Sequence, residues 1–595
     1  MTPVYHRHVT GQPVQVVADP DPDTFERFAR SATLFGLDVE TTPVDDDGPR
    51  FFHPSFRVRL VQIATADEAM VLDIADPRQR RMAAALLADP RCRFVTHTNF
   101  DTLAVWSAFG IALGQRVVDT HLLACLIDPG ETADHGLKTL TARWIDDGLK
   151  QAEDDLHALF AAIAPPGTRT RRAVVDHGWT HVPADAAPYV VYAGLDAIYV
   201  RRLLDILIPL VADLGYLPKA EMWLAAQTTA LTIRGIRLDT DWTTTLAADV
   251  ERDHQTARTR LEALTGLPAA SPRRVDWLTT RGVTFTAHTD NGRPSLAKDA
   301  LPDLIDRYPT GEVATMLRLC RDVAATSNLV TNLRKIPRYA DPTGRVHPDY
   351  KTLAAHTGRM SVKYPAMQTF KKNDPRLRGC FVADPGHVLV GCDFTNVELR
   401  VAAALSADRE MVRVFRDGQD IHSNTARMLF GDTFTKDQRQ IAKALNFGTA
   451  FGGGAPGLAR QAGLPIDSAR QAVTRFRKAY PGITAFGTAM AGRTIVRNAA
   501  RRRIPANADR SYANSNYAIQ STARDLLVEA LYRLSTGGWH HTLWALIHDE
   551  IVLHVPADAA TEAAQALNQA MTTTFRGVPI TADADIIGTR WGTTP

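Results

Sequence analysis

The stretch VLVGCDFTNVELR, residues 388–400, joins a short hydrophobic run to an acidic residue. Continuous apolar runs of this length are typical of a buried strand, so residues 388–393 are predicted to form one. Asp393 then lies where the strand ends and the next element begins. The stretch therefore predicts a buried strand that carries a carboxylate at its end.

The same combination recurs near the end of the chain. The triplet His548-Asp549-Glu550 lies between the apolar runs 543–547 and 551–555, which predicts two short strands joined at an acidic turn. Taken alone, each arrangement also fits an ordinary strand end or hairpin turn. The two become informative through the segment that lies between them.

That segment, RQIAKALNFG at residues 439–448, has helical spacing up to its glycine. Arg439, Lys443 and Phe447 recur at intervals of four, so they lie on one stripe of the helix. Two cations can hold a triphosphate, and a ring at the end of the stripe can stack on a base. A charged stripe without such a role would be a solvated helix face.

The first third of the chain contains another acidic set. Asp38 and Glu40, in LDVETT, share one face of a predicted strand, and Asp101 stands at the head of a helix. Tyr192 and Asp196 lie one turn apart on a further helix. Four carboxylates suit two Mg²⁺ ions that hydrolyse a phosphodiester, and the tyrosine hydroxyl can orient the attacking water. A D-x-E pair taken alone would fit a solvated turn. The inference of a two-metal site therefore rests on the whole set of motifs in their order along the chain.

Strands and helices alternate in this first third, which predicts an α/β domain. Later segments change character: residues 220–338 and 410–537 have mostly helical periodicity, and residues 341–348 form a turn-rich joint. The strands are predicted over residues 34–39, 59–63, 69–73, 93–97 and, as two strands, 544–556, with early helices over 78–87 and 102–109.

Composition excludes several classes of protein. The chain has 595 residues, of which 45% are hydrophobic and 22% charged, so it is long enough to bury several cores. Its five cysteines are scattered, which argues against a disulfide scaffold and favours a reducing cytoplasm. No apolar signal segment or membrane span is present in the sequence. The net charge of +3 neither requires nor excludes nucleic acid.

Residues 30–205 resemble the proofreading 3′–5′ exonuclease domains, which have a ribonuclease-H-like fold. The resemblance rests on the order D-x-E, D and Y-x-x-x-D. It implies that Asp38, Glu40, Asp101 and Asp196 bind two metal ions and that Tyr192 is catalytic. One position departs from the family pattern: His97 stands where an Asn is usual, with Asn99 closer to the motif, and this bears on substrate positioning.

The chain after residue 215 resembles family A DNA polymerases, the group of bacterial DNA polymerase I and its phage relatives. DFTNVELR is similar to their motif A, RQIAKALNFGTAFG to motif B and HDE to motif C. Three flanking segments agree with the family: HTGRMS at 356–361, DIH at 420–422 and NYAIQ at 516–520.

The resemblance implies a role for each matching residue. Asp393 and Asp549 would bind two metal ions with Glu550 assisting, and Lys443 would donate a proton to the leaving pyrophosphate. Arg439 and Lys443 would contact the triphosphate, Phe447 the base and His422 the phosphates. Glu398 would lie against a ribose 2′-OH, and Arg359 and Gln520 against the minor groove. The residues Asn396, His548 and Asn516 would line the same site.

Three positions depart from the polymerase pattern. Phe394 and Phe451 each replace a tyrosine, and Asn396 replaces a glutamine. The expected consequence is altered nucleotide selectivity or metal preference without loss of the reaction. In this family a phenylalanine at the position of Phe447 goes with rejection of dideoxynucleotides.

The implied fold class is α/β and multidomain, without room for a 5′-nuclease domain, as in phage enzymes. A ribonuclease-H-like exonuclease domain is expected over residues 1–215, ahead of a right-hand polymerase. Its parts are a thumb over 216–345, a palm with an antiparallel sheet over 346–410 and 538–595, and helical fingers with helices returning to the palm over 411–537.

The expected function is template-directed DNA synthesis from a primer with proofreading, in phage or bacterial DNA replication. Two Mg²⁺ ions are expected in each active site, with Mn²⁺ as a substitute, and the partners are primer–template DNA and dNTPs, with no membrane. A monomer in the cytoplasm is expected, which is the host's if the chain is phage-encoded. Arg334, Lys335 and Arg338 are candidates for contacts with duplex DNA or are scattered surface cations.

Three other functions remain as alternatives. A single-subunit RNA polymerase of related fold is disfavoured by Glu398 and by the complete exonuclease set. A DNA-binding scaffold with inactive sites is disfavoured because every acidic motif is intact. A nuclease whose C-terminal part only holds substrate is the third alternative, and primer extension separates all three from a DNA polymerase.

Overall fold

A mixed sheet of seven strands occupies the first part of the chain in the computed structural model. The structure describes residues 2–44, 50–130, 132–289, 291–297, 300–372, 374–450 and 452–592, so Phe451 lies outside the described residues. The chain divides into two units: residues 1–235, 348–363 and 386–586 form the first, and residues 236–347, 364–385 and 587–595 form the second.

The seven strands are β1 (Val4–Val9), β2 (Gln12–Ala18), β3 (Leu34–Thr41), β4 (Val58–Ala64), β5 (Glu68–Asp73), β6 (Arg93–Thr96) and β7 (Val117–Asp119). Their order is β1-β2-β5-β4-β3-β6-β7, with β4 antiparallel to both neighbours. The four predicted strands of this region are confirmed. The hairpin β1–β2 was not predicted, because the His and Arg side chains of β1 obscure the alternation of apolar and polar residues that indicates a strand.

Eight helices cover this sheet: α1 (Pro22–Ser31), α2 (Pro77–Ala88), α3 (Phe100–Phe109), α4 (Thr120–Ile127), α5 (Leu137–Trp144), α6 (Gly148–Ile163), α7 (Arg171–His181) and α8 (Ala187–Leu210). The helices predicted over 78–87 and 102–109 are confirmed as α2 and α3. Helix α8 is buried over most of its length, from Tyr189 to Leu207, and packs on the face of β3, β4 and β5.

Glycine lets α8 approach the sheet closely. A Cβ atom at Gly36 of β3 would overlap the carbonyl oxygen of Ala197 in α8, and a Cβ atom at Gly194 would overlap a side chain of β2. Backbone therefore meets backbone at the crossing of β3 and α8. This contact sets the distance between Asp38 on the strand and Asp196 on the helix.

The second unit is mainly helical. Its elements are β8 (Ile236–Leu238), α10 (Thr240–Thr265), α11 (Arg274–Thr279), α12 (Leu301–Arg307), α13 (Gly311–Lys335), β9 (Arg345–Val346), α14 (Pro375–Arg378) and β12 (Phe381–Val382). The long helices α10 and α13 pack against each other, and β12-β8-β9 form a small antiparallel sheet. Arg334 pairs with Glu251 at 2.8 Å, and Lys335 and Arg338 are exposed.

The remaining strands belong to the first unit: β10 (Asp349–Lys351), β11 (Ser361–Lys363), β13 (His387–Phe394), β14 (Ile495–Arg497), β15 (Arg503–Pro505), β16 (Leu543–Ile547), β17 (Glu550–Pro556), β18 (Thr573–Phe575), β19 (Val578–Ile580) and β20 (Ala582–Gly588). A four-stranded sheet has the order β16-β17-β13-β20, and its three predicted strands are confirmed. The long helical region predicted over 410–537 is confirmed except at β14–β15, whose three-residue strands are too short to show a periodic pattern.

The remaining helices also belong to the first unit: α9 (Leu217–Arg234), α15 (Val397–Ser406), α16 (Arg409–Arg416), α17 (Ile421–Phe430), α18 (Lys436–Ala450), α19 (Ala455–Ala462), α20 (Ile466–Ala479), α21 (Pro481–Ala491), α22 (Asn514–Thr536) and α23 (Ala560–Met571). Short 3₁₀ turns occupy Arg50–Phe52, Gly114–Arg116, Ala212–Leu214, Ile336–Tyr339, Met367–Thr369, Ser511–Ala513, His540–Thr542 and Ala557–Ala559.

A buried ion network joins α9 to α22. The carboxylate of Glu221 accepts hydrogen bonds from Arg502 and Arg524, each at 2.7 Å, and Arg502 also donates to Asp525 at 2.6 Å. All four side chains are almost completely buried. Removing one partner of such a network typically costs about 3–5 kcal/mol, because it leaves a buried charge uncompensated. The network therefore fixes the helix that follows the first sheet against the helix α22.

The close contact of β3 with α8 gives a first prediction. Gly36→Ala should lower the free energy of unfolding by about 1–3 kcal/mol, because the added methyl group forces two backbones apart. Urea denaturation followed by circular dichroism measures this. Gly487→Ala is the matched control, since a Cβ there meets nothing within 4 Å, and it should leave stability unchanged or slightly raised. Equal stability of the wild type and Gly36→Ala would contradict the contact.

Candidate active sites

Three carboxylates meet where β3 crosses α8. Asp38 and Glu40 alternate along β3 with Leu37 and Val39, whose side chains fill the hydrophobic core on the opposite face. Asp196 projects from α8, and one carboxylate oxygen from each of the three acidic residues lies within 4.8 Å of the others. The alternation of the strand therefore turns both of its acidic side chains toward the helix.

Asp101 belongs to the same electrostatic environment. It is buried in the first turn of α3, and after burial itself its charge is the next cause of the raised pKa of Asp38. Asp119 is a buried carboxylate that the sequence analysis did not single out. It accepts hydrogen bonds from the backbone N–H groups of His121 at 2.8 Å and Thr98 at 3.0 Å, so it caps α4.

Like charge is concentrated at this site. Burial raises the pKa of Asp38, Glu40, Asp101 and Asp196 above the ordinary range, and repulsion from neighbouring carboxylates adds to the effect. A divalent cation reverses both effects, because it stabilises the ionised form of each group. Carboxylate oxygens are the ligands that Mg²⁺ prefers in proteins, so these residues fit a pair of such ions.

Lys138 of α5 reaches the same cluster. Its ammonium group donates a hydrogen bond to the hydroxyl of Tyr192 at 2.6 Å and lies 3.7 Å from a carboxylate oxygen of Asp196. Asp196 lies one turn further along α8, and after burial itself its charge is the next cause of the raised pKa of Tyr192. Lys138 could not be predicted from the sequence, because it lies in none of the acidic motifs and only the fold brings α5 to α8.

Gln62 is a second residue that the motifs did not reveal. It lies opposite Asp38 in the register of β3 and β4, so both side chains point to the same face of the sheet. Its side chain is fully buried, and its amide oxygen and nitrogen have no hydrogen-bond partner among the described residues. Buried polar groups are normally hydrogen-bonded, so this amide is available to a partner other than the described residues.

His97 occupies the position where the exonuclease pattern has an asparagine. Its Nδ1 is hydrogen-bonded to the hydroxyl of Thr120 at 2.9 Å, and its Nε2 donates to the backbone carbonyl of His135 at 2.8 Å. Burial lowers the pKa of His97 to about 3, so the ring is neutral. Asn99 precedes α3, and its side-chain nitrogen lies 3.4 Å from a carboxylate oxygen of Asp349. The imidazole at this position thus supports the surrounding backbone.

A second acidic centre lies on the four-stranded sheet. Asp393 on β13 lies directly opposite Glu550, the first residue of β17. Asp549 precedes Glu550 in the two-residue turn between β16 and β17, where His548 has a φ of +56°. Burial raises the pKa of Asp549, and the charge of Asp393 is the next cause. Two carboxylates that repel each other at the end of a buried sheet also fit Mg²⁺.

A cavity beside this acidic pair collects residues from four separate segments. It is lined by Arg359, Glu398, Gln520, His548 and Asp549, together with apolar side chains of α15 and α22. A guanidinium nitrogen of Arg359 donates to Glu398, whose side chain is 19% exposed. Burial raises the pKa of Glu398, and the neighbouring Arg359 opposes this shift. Arg359 and Glu398, for which the family resemblance implies separate roles, form one ion pair in the structure.

Helix α18 presents a cationic and aromatic stripe. Arg439 donates two hydrogen bonds to one carboxylate oxygen of Asp420, at 2.7 and 3.0 Å, and Lys443 is exposed one turn further on. The ring of Phe447 lies 5.6 Å from the ring of His422, measured between centroids. Burial lowers the pKa of His422 to about 4, and the cations Arg439 and Lys443 contribute to the lowering.

The other predicted residues lie on the adjoining elements. Asn396 precedes α15 with a φ of +52°, and Asn516 lies on α22 one turn before Gln520. The ring of Phe394 is buried in the core that also contains β13 and β17, so the hydroxyl of the usual tyrosine would lie among apolar side chains. No helix in the described part of the chain is long and apolar enough to cross a membrane.

Comparison with known proteins identifies two families along the chain. Residues 16–212 match the family described as 3′–5′ exonuclease, and residues 241–593 match DNA polymerase family A. The chain is 32% identical to the DNA polymerase of Mycobacterium phage D29 over 600 residues, which cover 97% of this chain and 96% of that protein. It is 28% identical to DNA polymerase I of Chloroflexus aurantiacus over 662 residues, which cover 98% of this chain and 64% of that protein.

A solved structure shares the fold. The polymerase domain of Pol1 from M. smegmatis, in complex with DNA primer-template and dNTP, superposes with a TM-score of 0.78 at 21% identity, covering 97% of this chain and 99% of that chain. The α/β multidomain fold class predicted from the sequence is confirmed. From its sequence, its fold and its two acidic centres, this chain belongs to DNA polymerase family A and carries a 3′–5′ exonuclease domain ahead of its polymerase domain.

Proposed function

We propose that this chain extends a DNA primer along its template with dNTPs and removes nucleotides from the 3′ end at a separate proofreading site. The observation that carries the proposal is the presence of two carboxylate centres on different sheets, each with like charges held together. Each centre binds two Mg²⁺ ions, for which Mn²⁺ can substitute. Replication of phage or bacterial DNA is the process that such an enzyme serves.

In the polymerase site, Asp393 and Asp549 hold the metal ions and Glu550 assists them. When bound, the ions lower the pKa of the primer 3′-OH and neutralise charge on the leaving pyrophosphate. Arg439 and Lys443 bind the triphosphate, with His422 beside them, and Lys443 donates a proton to the pyrophosphate. Phe447 stacks on the base of the incoming nucleotide, which Gly448 allows to approach closely.

Nucleotide selection takes place in the cavity beside the acidic pair. Glu398, held by Arg359, occupies the space that a ribose 2′-OH would need. Arg359 and Gln520 contact the minor groove, where acceptors are similar for all correct base pairs, so these contacts test the shape of a pair. Asn396, Asn516 and His548 line the same site.

At the exonuclease site, Asp38, Glu40, Asp101 and Asp196 hold the metal ions. The hydroxyl of Tyr192 orients the attacking water, and the ammonium of Lys138 keeps that hydroxyl in place. Lys138 also offsets part of the negative charge, since it lies 3.7 Å from Asp196.

The domain division follows from the same assignment. Residues 1–215 are the exonuclease domain, 216–345 the thumb, 346–410 and 538–595 the palm, and 411–537 the fingers with the helices that return to the palm. Binding to duplex DNA is mainly through phosphates and weakens as salt rises. Lys335 and Arg338 are exposed at the end of α13 and available for such contacts, whereas Arg334 must first leave Glu251.

Primer extension with dNTPs and Mg²⁺ tests the proposal directly. Extension with dNTPs, and much weaker extension with rNTPs, is expected of a DNA polymerase. Extension that is faster with rNTPs would identify an RNA polymerase. Digestion without extension would identify a nuclease, and the absence of both activities in folded protein would identify a binding scaffold.

The first prediction for the enzyme is that its two reactions can be separated. Asp393→Ala or Asp549→Ala should lower primer extension about a thousandfold or more, because the loss of metal ligands removes several kcal/mol of transition-state stabilisation. Digestion of single-stranded 3′ ends should be unchanged. Asp38→Ala is the reciprocal control, and it should abolish digestion while extension persists. Loss of both reactions in a folded Asp393→Ala protein would refute the two-site assignment.

A second prediction concerns the sugar. Glu398→Ala should raise the ratio of rNTP to dNTP kcat/KM at least about tenfold, which corresponds to about 1.4 kcal/mol of relieved clash. Steady-state kinetics with both nucleotides measures the ratio. Glu398→Gln is the matched control, because it keeps the volume of the side chain and should keep the discrimination. If Glu398→Gln relaxes the discrimination as much as Glu398→Ala, the charge of the ion pair is the determinant and not the steric block.

The third prediction rests on the stripe of α18. The wild type should discriminate against ddNTPs, and Phe447→Tyr should relax this roughly 10- to 100-fold, since one hydrogen bond to a charged phosphate is worth about 1.5–3 kcal/mol. Competition between ddNTP and dNTP during primer extension gives the ratio. Phe447→Leu removes the ring without adding a hydroxyl, so it should not accept ddNTPs. Should Phe447→Tyr leave the ratio unaltered, Phe447 is a packing residue and the assignment of the stripe fails.

A further inference from the structure

A cluster of soft ligands lies outside both acidic centres. His121 and Cys125 are one turn apart on α4, and His135 follows in the loop that leads to α5. The Sγ atom of Cys125 lies 3.6 Å from Nδ1 of His135 and 3.7 Å from Nδ1 of His121. One ligand atom from each of the three residues lies within 4.8 Å of the others. Two imidazoles and a thiol thus converge on one point.

The orientation of His135 is fixed by its second nitrogen. Its Nε2 lies 2.7 Å from the backbone carbonyl oxygen of Asp128, to which it donates its proton. The lone pair is therefore on Nδ1, the nitrogen that faces Cys125. A histidine that ligates a metal usually donates its other N–H to a carbonyl or carboxylate in this way, because the hydrogen bond fixes both tautomer and ring orientation.

The spacing of the ligand atoms suits a tetrahedral ion. Zinc binds sulfur at about 2.3 Å and nitrogen at about 2.0–2.1 Å, which places sulfur and nitrogen about 3.6 Å apart around a tetrahedral centre. The separation of Cys125 from His135 agrees with this value, whereas its Sγ atom lies 3.7 Å from Nδ1 and 3.9 Å from Nε2 of His121, so the ring of His121 would have to turn to aim one nitrogen at the ion. A simple S–H···N hydrogen bond to His135 would account for one of the two contacts and leaves the convergence of His121 unexplained.

We propose that His121, Cys125 and His135 bind one Zn²⁺ ion, with a water molecule as the fourth ligand. A cavity of about 490 Å³ adjoins all three side chains and has room for that water. Thiolate and imidazole are the ligands that select zinc over magnesium, so this ion is distinct from those of the carboxylate sites. Binding releases one proton to solvent, as the Cys125 thiol becomes the thiolate that bonds to the ion.

Charges of both signs surround the cluster, since Asp119, Glu221 and Asp128 lie near Cys125 while Lys351, Arg502 and Arg503 line the adjoining cavity. Asp119 and Asp128 contribute negative charge at Cys125, and the thiolate that forms adds another. Lys351 lines the cavity near His121, and its positive charge opposes the binding of a cation.

The ion would tie the loop residues 132–136 back onto α4. This loop leads directly into α5, whose Lys138 donates to the hydroxyl of Tyr192 at 2.6 Å. His97 also holds the loop, because it donates to the carbonyl of His135. The proposed site is therefore a structural clip that supports the exonuclease centre from outside its own ligands.

Cobalt substitution of the full-length protein tests the proposal. After chelation and dialysis, Co²⁺ should produce the near-ultraviolet thiolate-to-cobalt charge-transfer band and the intense visible bands of a tetrahedral site. The carboxylate centres have only oxygen ligands and cannot produce the charge-transfer band. One equivalent of Zn²⁺ should then abolish it, because zinc competes for the same ligands. Absence of the band in the wild type with excess Co²⁺ would overturn the proposal.

Variants assign the band to this cluster. Cys125→Ser should lose the charge-transfer band and contain one zinc ion fewer per chain than the wild type by elemental analysis in the presence of Mg²⁺. Cys92→Ser is the matched control, since Cys92 is also buried in the first unit but lies in a hydrophobic core, and it should keep both band and ion. His135→Asn should shift the visible bands even if Cys125→Ser fails to fold. An unaltered spectrum in either ligand variant would refute the site.

Discussion

Repulsion between buried carboxylates is the constraint on which the architecture depends. Asp38, Glu40 and Asp196 lie within 4.8 Å of one another, and their pKa values are raised by burial and by neighbouring charge. Such an arrangement opposes folding, because buried like charges are unfavourable unless cations compensate them. The fold tolerates it because hydrophobic packing on the other face of β3 and along α8 holds the backbone in place. The divalent metal ions proposed for this site would compensate the negative charge that costs stability.

The two acidic centres reach this arrangement by different means. The first depends on a helix crossing a strand, and glycine at Gly36 permits the approach. The second depends on register within one antiparallel pair, where Asp393 faces Glu550 and the tight turn adds Asp549. A strand pair fixes its carboxylates through backbone hydrogen bonds, whereas a helix–strand crossing fixes them through packing. The first centre is therefore more sensitive to changes in side-chain volume nearby.

The sequence was most informative where a function needs a particular residue at a particular end of a hydrophobic run. The strands that carry Asp38 and Asp393, and the strand that leads to the turn with Asp549, could be predicted because their apolar runs are long enough to be recognised. Lys138 and Gln62 could not, because nothing local distinguishes them and their role arises from α5 and β4 lying next to the acidic strand. Likewise, the hairpins β1–β2 and β14–β15 are polar or short, and tertiary pairing determines them.

Two arginines at the polymerase centre are paired with carboxylates. Arg439 is held by Asp420, and Arg359 by Glu398, so both guanidinium groups already have a carboxylate partner. An arginine that is already oriented loses less conformational entropy when it binds a phosphate. A triphosphate carries more charge than one carboxylate, so it can compete for a half-exposed pair such as Arg439 and Asp420. On the proposed assignment, Asp420 keeps Arg439 oriented for the triphosphate, and the acidic residues would bind the metal ions that accompany it. The two sides of the site would then be complementary to a metal–nucleotide complex rather than to either component alone.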